Sequence, residues 1–204
     1  MAGAGRHKAA GSEREVMAKS ALIVVDVQND FCEGGALAAG DTDSLLQPLK
    51  VFIEKARAAG AAIVYTQDWH PAAHASFKPN GPWPVHCVAE TAGAELKKPL
   101  RAQLGDIVIH KGVGVDGAGY SGFEATELAG KLKSLQVNRV SVAGIATEYC
   151  VAATALDAAK EGFATSVLTN LIRAVDAGAT AGTLTKCEAT GVETVTSEEW
   201  LESL

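Results

Sequence analysis

Short runs of β-branched and apolar residues alternate with longer segments rich in Ala, Leu, Lys and Glu, and this alternation limits the folds that the chain can adopt. The runs predict six strands, at residues 21–27, 61–66, 106–111, 139–144, 164–169 and 191–196. Strands that alternate with helical segments form mostly parallel sheets with helices packed on them. The sequence therefore predicts an α/β fold in which a six-stranded, mostly parallel sheet has helices on both faces.

The segments between the strands carry apolar residues at helical spacing. One such segment predicts a helix that ends near Gly60, and we expect Pro48 to lie in its first turn, where a missing N–H is tolerated. Further helices are predicted over residues 128–135, 147–161 and 176–186.

Composition and charge exclude several classes of protein. A formal net charge of -6 argues against nucleic acid and anionic membranes as partners. No stretch has the roughly 18 apolar residues of a membrane span, and the first residues lack the apolar core of a secretory signal, so a cytoplasmic location is expected. Residues 1–20 show no periodicity and predict a flexible tail, followed by a single domain over 21–204. The four cysteines form no CxxC pair and are interpreted as thiols.

Polar side chains lie at the carboxyl ends of several predicted strands. Asp26 ends the first strand and Lys111 the third, while Asp68 and His70 follow the second. The fourth strand leads through the segment GIATEYC to Cys150. Because ligands of open parallel sheets bind outside the carboxyl ends of the strands, we expect these side chains to converge on one edge.

Cys150 is the candidate nucleophile at this edge. We expect it near the third position of a helix whose N-cap is Thr147, where free N–H groups and the helix dipole stabilise a thiolate. A neighbouring Lys111 ammonium would lower the pKa of the thiol further. The carboxylate of Asp26 can take the thiol proton and return it to a leaving amine. The alternative is an inert thiol packed under the sheet.

The loop at residues 67–100 carries a second candidate group. Asp68 and His70 are two positions apart at the end of a strand, so they project to the same side. His86 stands on a proline-rich segment and can complete an Asp/His/His set with open positions, which suits Zn, Mn or Fe. His74 is either a further ligand or a residue that orients the ligands. The sequence predicts one divalent metal ion here, against the alternative that the histidines only cap loops.

Six segments, in order along the chain, resemble the signature segments of the nicotinamidases, which belong to the isochorismatase-like hydrolases. They are VVDVQNDFCEGGAL (24–37), QDWHPAAHASF (67–77), WPVHC (83–87), HKGVG (110–114), YSGF (120–123) and GIATEYCV (144–151). The resemblance extends over about residues 20 to 196. It implies hydrolysis of the small molecule nicotinamide to nicotinate and ammonia, in NAD salvage, on a parallel sheet.

The resemblance also implies roles for the residues already singled out. The positions of the catalytic triad are occupied by Asp26, Lys111 and Cys150. The positions of the metal ligands are occupied by Asp68, His70 and His86, whereas ligation at the position of His74 varies among relatives. By the same resemblance, the pyridine nitrogen of the substrate occupies an open metal position.

Further substrate contacts follow from the resemblance. Phe31 and Trp83 match aromatic residues that line the substrate ring, and Tyr120 matches a nearby wall residue, although simple loop packing is its alternative. The peptide bond before Ala146 corresponds to a cis bond in relatives, where the Ala146 N–H and that of Cys150 point at the developing oxyanion.

Two other functions stay open. The same residues could act on another small aromatic amide or on a carbamoyl compound. Alternatively, the chain could be a metal-binding or thiol-redox sensor in which Cys150 is oxidised, although that function leaves Lys111 and Asp26 unexplained. Members of the family are often oligomeric, so a homo-oligomer is a further expectation.

Overall fold

A six-stranded sheet forms the centre of the computed structural model, which describes residues 19–117 and 119–203. The strands are β1 (Lys19–Val25), β2 (Ala62–Asp68), β3 (Ile107–Lys111), β4 (Val137–Ile145), β5 (Ala164–Arg173) and β6 (Glu193–Val195). They lie in the order β3-β2-β1-β4-β5-β6, and every neighbouring pair is parallel. The predicted sheet is therefore confirmed, and it is parallel throughout the described residues.

Helices cover both faces of the sheet. They are α1 (Thr42–Ala58), α2 (Leu128–Ser134), α3 (Ala152–Lys160), α4 (Thr180–Glu188) and α5 (Ser197–Glu202). One apolar core contains the buried residues of α1 and α5, and the other contains those of α2, α3 and α4. Strand β1 contributes alternate residues to both cores, which explains its continuous apolar sequence. No helix in the described part of the chain is long and apolar enough to cross a membrane.

The element boundaries differ from the predictions in a few places. Strand β1 begins at Lys19, inside the segment 1–20 that was expected to be a tail; residues 1–18 lie outside the described residues. The chain leaves β1 after Val25, and Asp26 adopts a positive φ of 48°. Strand β4 is longer than predicted because it begins at Val137, and β5 is longer because it continues to Arg173, beyond the irregularity in its pairing with β4 that follows Val142.

The expected position of Pro48 is wrong. Helix α1 starts at Thr42, so Pro48 is its seventh residue and lies beyond the first turn. A proline there cannot donate to the carbonyl four residues earlier. The helix nevertheless continues to Ala58, because it buries Leu45, Leu49 and other apolar residues against the sheet.

The strand order reverses between β1 and β4. From β1 the chain moves outward to β2 and β3, and it then crosses back to place β4 on the other side of β1. In open α/β sheets, the carboxyl ends of the strands leave a crevice at such a reversal. The segments that follow β1 and β4 therefore lie side by side at the position where a ligand is expected.

Candidate active site

Four adjacent strands bring the predicted catalytic side chains together. Asp26 follows β1, Asp68 and Lys111 are the last residues of β2 and β3, and Cys150 lies in the turn that follows β4. Asp68 and Lys111 are also direct partners in the register of β2 and β3. The convergence expected from the carboxyl ends of the strands is what the structure shows.

The ammonium group of Lys111 connects these residues. Its Nζ lies 2.8 Å from Oδ2 of Asp26, 2.5 Å from Oδ1 of Asp68 and 3.4 Å from Sγ of Cys150. It also donates a hydrogen bond of 2.8 Å to the carbonyl oxygen of Gly119. A carboxylate oxygen of Asp26, one of Asp68 and Sγ of Cys150 all lie within 4.8 Å of one another. A thiol, a cation and two carboxylates therefore occupy one buried group.

Burial and charge shift the pKa values of this group in different directions. Burial opposes the charge on Lys111, but Asp26 and Asp68 outweigh burial and raise its pKa well above the ordinary value. Burial also opposes ionisation of Asp68, yet Lys111 and His70 lower its pKa to about 2. For Asp26, burial exceeds the effect of Lys111, so the pKa is raised.

The expectation of a stabilised thiolate at Cys150 is wrong for this structure. Burial raises the pKa of the thiol well above its ordinary value, and Lys111 only reduces that increase. The two carboxylates nearby, Asp26 and Asp68, disfavour a further negative charge. A protonated thiol in this position has to lose its proton to a base when it reacts.

The turn that carries Cys150 also differs from the prediction. It is a π-helical turn, Thr147–Val151, and its N-cap is Ala146 rather than Thr147. The backbone N–H groups of Tyr149 and Val151 both donate to the carbonyl of Ala146, at 3.1 Å. Oγ1 of Thr147 is buried and caps nothing. Cys150 is thus the fourth residue of a widened turn that leads into α3.

The candidate metal ligands form a second buried group. Asp68, His70 and His86 each offer a ligand atom, and the three atoms lie within 4.8 Å of one another. Nδ1 of His70 donates to the carbonyl of Gly112 at 2.9 Å, and Nδ1 of His86 donates to that of Pro84 at 2.8 Å. Because carbonyl oxygens only accept, these bonds leave the lone pair of each imidazole on Nε2. The donor set and its orientation fit a divalent metal ion.

His74 does not belong to this group of ligand atoms. Its ring stacks on that of His70, with centroids 4.1 Å apart. Its Nδ1 lies 2.7 Å from the hydroxyl oxygen of Ser76 and 3.3 Å from the backbone nitrogen of Ser76, and its Nε2 is buried with no hydrogen-bond partner in the described residues. The stacking places His74 against a candidate ligand, and its role as a further ligand or as a residue that orients the ligands stays a prediction.

A small cavity, about 40 Å³ in volume, joins the two groups. Its wall includes Cys150, the three candidate metal ligands and all four residues expected to contact a substrate, which are Phe31, Trp83, Tyr120 and Ala146. Nε1 of Trp83 donates to the hydroxyl of Tyr120 at 3.1 Å, so the two side chains form one continuous wall. The peptide bond before Ala146 is cis, as the resemblance implied.

Four residues of the cavity wall were not predicted: Leu37, Ser76, Tyr149 and Val175. Tyr149 precedes Cys150, and its ring meets that of Trp83 edge to face with centroids 5.2 Å apart. Its place in the segment GIATEYCV could have indicated this role. Leu37 is likewise the last residue of the segment VVDVQNDFCEGGAL, whereas nothing in the sequence around Val175 indicates that it lines the cavity.

Two polar residues in the first signature segment, the half-buried Asp30 and the buried Gln28, were also missed. Oδ2 of Asp30 accepts the backbone N–H of Cys87 at 2.7 Å, which fixes the segment that carries His86. Gln28 is fully buried and hydrogen-bonds to the backbone of Asp68. Both hold the chain that presents the candidate metal ligands.

A larger groove, about 930 Å³ in volume, lies between α1 and residues 95–103. None of the predicted site residues lines it, and its wall contains no thiol and no imidazole. The smaller cavity, which is lined by the candidate nucleophile and the candidate metal ligands, is therefore the candidate active site.

Comparisons with known proteins agree with this geometry. A family model described as the isochorismatase domain matches residues 20–199. The nicotinamidase/pyrazinamidase of Mycobacterium tuberculosis is 41% identical over 186 residues, which cover 87% of this chain and 98% of that protein.

Two solved structures are similar over nearly their whole length. The pyrazinamidase of Pyrococcus horikoshii in complex with zinc has a TM-score of 0.84 and 41% identity, and the match covers 87% of this chain and 99% of that one. The PnC1 protein of L. infantum in complex with nicotinate has a TM-score of 0.81 and 37% identity, with 89% and 94% covered.

Proposed function

Because the chain belongs to the isochorismatase domain family, we propose that it is an amidohydrolase that converts nicotinamide into nicotinate and ammonia. The position of Cys150 carries the proposal: its Sγ lies 3.4 Å from the Lys111 ammonium and within 4.8 Å of an Asp26 carboxylate oxygen, on the wall of a cavity. The names of the M. tuberculosis relative and the nicotinate-bound neighbour support the choice of substrate.

The reaction begins at the thiol. Asp26 accepts the proton of Cys150 while Sγ bonds to the amide carbon, and the carbonyl oxygen becomes an oxyanion. Collapse of this intermediate breaks the C–N bond, and Asp26 returns the proton to the nitrogen, which leaves as ammonia. Asp26 then takes a proton from water, whose oxygen attacks the thioester. The C–S bond breaks, Asp26 returns the proton to the sulfur, and the nicotinic acid that forms releases its remaining proton to solvent to become nicotinate.

Lys111 stabilises the negative charges that are present before the reaction and that form during it. Its ammonium contacts both Asp26 and Cys150, so it favours the ionised carboxylate before the reaction and the sulfur anion as it forms. Following the resemblance, we assign the backbone N–H groups of Ala146 and Cys150 to the oxyanion, because donors at that position stabilise charge that develops only in the transition state.

The aromatic wall suits a flat heterocycle. Phe31, Trp83 and Tyr120 line the small cavity beside Cys150. Aromatic faces hold a pyridine ring by stacking and by excluding water. We assign these three residues to substrate binding.

Asp68, His70 and His86 would hold one divalent metal ion, with zinc, manganese or iron as candidates. When bound, the ion supplies an electrophilic position that can accept the lone pair of the pyridine nitrogen. The zinc complex of the P. horikoshii neighbour supports zinc as the first metal to test.

Release of ammonia from nicotinamide by the purified protein tests the proposal. We expect Cys150→Ala to abolish release. Cys187→Ala is a matched control, because Cys187 is another buried thiol, on α4, that does not line the cavity. Absence of ammonia from the wild type, or a Cys150→Ala variant as active as the control, would refute the proposal.

The same assay separates the other functions. A redox sensor would release no ammonia, and an enzyme for a different amide would prefer that amide over nicotinamide. A cytoplasmic location, a role in NAD salvage and a homo-oligomeric state remain expectations that accompany the proposed function.

A further inference from the structure

Gln28 completes the hydrogen bonding of Asp68. Its Oε1 accepts the backbone N–H of Asp68 at 2.8 Å, and its Nε2 donates to the carbonyl of Asp68 at 2.8 Å. Nε2 also donates to the carbonyl of Ala94 at 2.8 Å. Gln28 is fully buried, so none of these bonds can be replaced by bulk water.

The hydrogen bonds from Gln28 replace the backbone pairing that β1 no longer supplies to β2 at Asp68. The pairing of β1 with β2 ends at Val25 and Thr66, and Asp26 then turns the chain away. Asp68, two residues beyond Thr66, would have no partner on that side of β2. The side-chain amide of Gln28 supplies both an acceptor and a donor there, as the backbone of a neighbouring strand would.

The carboxylate of Asp68 connects Lys111 with the candidate metal ligands. Its Oδ1 lies 2.5 Å from Nζ of Lys111, while its Oδ2 lies 3.4 Å from Nε2 of His70. It is also the one residue that belongs to both of the groups of candidate ligand atoms found among the described residues. A rotation of its peptide would move one carboxylate oxygen away from Lys111 and the other away from the candidate metal ligands.

We propose that Gln28 is a positioning residue that fixes the backbone of Asp68. The Asp68 carboxylate can then contact the Lys111 ammonium through one oxygen and take part in the group of candidate metal ligands through the other. The proposal rests on the function proposed above. Residues that orient a metal ligand through hydrogen bonds typically change metal affinity or activity by about 10- to 100-fold when they are replaced. Gln28 differs from such residues in that it acts on the backbone of the ligand.

Gln67 provides a matched control for this role. Its Nε2 donates to the same carbonyl of Ala94, also at 2.8 Å, and its side chain is buried. It makes none of the side-chain hydrogen bonds to the backbone of Asp68 that Gln28 makes. Replacing Gln67 by Met therefore removes a buried amide and a bond to the loop, as Gln28→Met does, but leaves Asp68 in place.

The experiment compares zinc affinity, by competition with a chelator, and kcat/KM for nicotinamide in the full-length variants. We expect Gln28→Met to weaken zinc binding and lower kcat/KM by about tenfold or more each. Gln67→Met should stay within about twofold of wild type in both, although both variants should melt at a lower temperature. Equal zinc affinities in the two variants, or a wild type that binds no zinc, would overturn the proposal.

A second variant covers the case in which Gln28→Met does not fold. Gln28→Glu keeps the shape and the acceptor for the Asp68 N–H but loses the donor, and we expect the same direction of change. If neither variant folds, the proposal is overturned, since Gln28 would then be required for folding. Zinc affinity needs no substrate, so it decides this proposal even if the wild type fails to hydrolyse nicotinamide.

Discussion

The buried ammonium of Lys111 faces two carboxylates, so the group has an excess of negative charge before the thiol is considered. Formation of a thiolate beside it would add to this excess, and burial gives no compensating hydration. The structure therefore favours a thiol that transfers its proton to Asp26 during the attack over a thiolate that exists beforehand. The prediction of a preformed thiolate failed because the sequence does not show the burial of Cys150, and because Asp68 was expected only as a metal ligand and not as a contact of Lys111.

Asp26→Asn tests the proton transfer. The amide keeps the size of the carboxyl group but cannot accept a proton, so kcat should fall by about 100-fold or more. Metal content and melting temperature should stay near those of wild type. The kinetic constants and the metal content of the same preparation measure this. An Asn variant that keeps a tenth of the wild-type kcat would exclude Asp26 as the base.

Lys111→Met tests the role of the cation. Removing Lys111 leaves two buried carboxylates without their partner, which typically destabilises a fold by about 3–5 kcal/mol. The pKa of Cys150 should rise further, because Lys111 is the group that lowers it, so the pH profile of Cys150 alkylation should move to higher pH. Denaturant unfolding and alkylation rates measure the two effects. Identical alkylation profiles with and without Lys111 would contradict the assignment.

At the scale of elements, the sequence predicted all six strands, because runs of apolar residues report burial on both faces of a sheet. The helix boundaries were less predictable. Helix α1 begins six residues before Pro48, and the stretch expected to be a single helix from Thr147 starts as a π-helical turn. In both cases tertiary packing outweighs the local preference on which the prediction depended.

The site was predictable to the extent that its residues lie at strand ends. Sequence position alone brings Asp68 and Lys111 to one edge of a parallel sheet. The contact of Gln28 with Ala94 joins residues 66 positions apart, and no local pattern reports such a contact. The approach of Val175 to the cavity likewise depends on how a loop folds, and its backbone N–H is held by a Glu148 carboxylate oxygen at 3.3 Å.

Thr196→Ala tests whether α5 stabilises the fold independently of the site. Oγ1 of Thr196 accepts the backbone N–H of Glu199, and the Glu199 carboxylate accepts that of Thr196. Loss of this cap should cost about 1 kcal/mol, while kcat/KM stays unchanged because α5 does not line the cavity. Thermal unfolding and steady-state kinetics measure this. A large change in kcat/KM at full stability would show that α5 is coupled to the site.

At the scale of the whole molecule, the site lies where the two halves of the sheet meet. The proposed nucleophile follows β4, whereas the proposed base and the candidate metal ligands follow β1 and β2 or lie in the loop after β2, on the other side of the strand reversal. A substrate must therefore reach both groups at once. The ring has to lie near the metal ligands while the amide carbon approaches Cys150, which selects small, flat molecules with a polar atom at each end.

Nicotinamide and benzamide test this requirement directly. The two molecules share a shape and a carboxamide, but benzamide has no ring nitrogen and leaves the candidate metal position without its ligand. Sites built around such a polar contact can reject the analogue by about four orders of magnitude in kcat/KM. We expect nicotinamide to be hydrolysed far faster, and we expect removal of the metal by a chelator to lower its rate towards that of benzamide. Two results would contradict this requirement: a kcat/KM for benzamide within about tenfold of that for nicotinamide, or nicotinamide activity that survives the change of Asp68, His70 and His86 to Ala. In either case, the ring would have to be held by Phe31 and Trp83 alone.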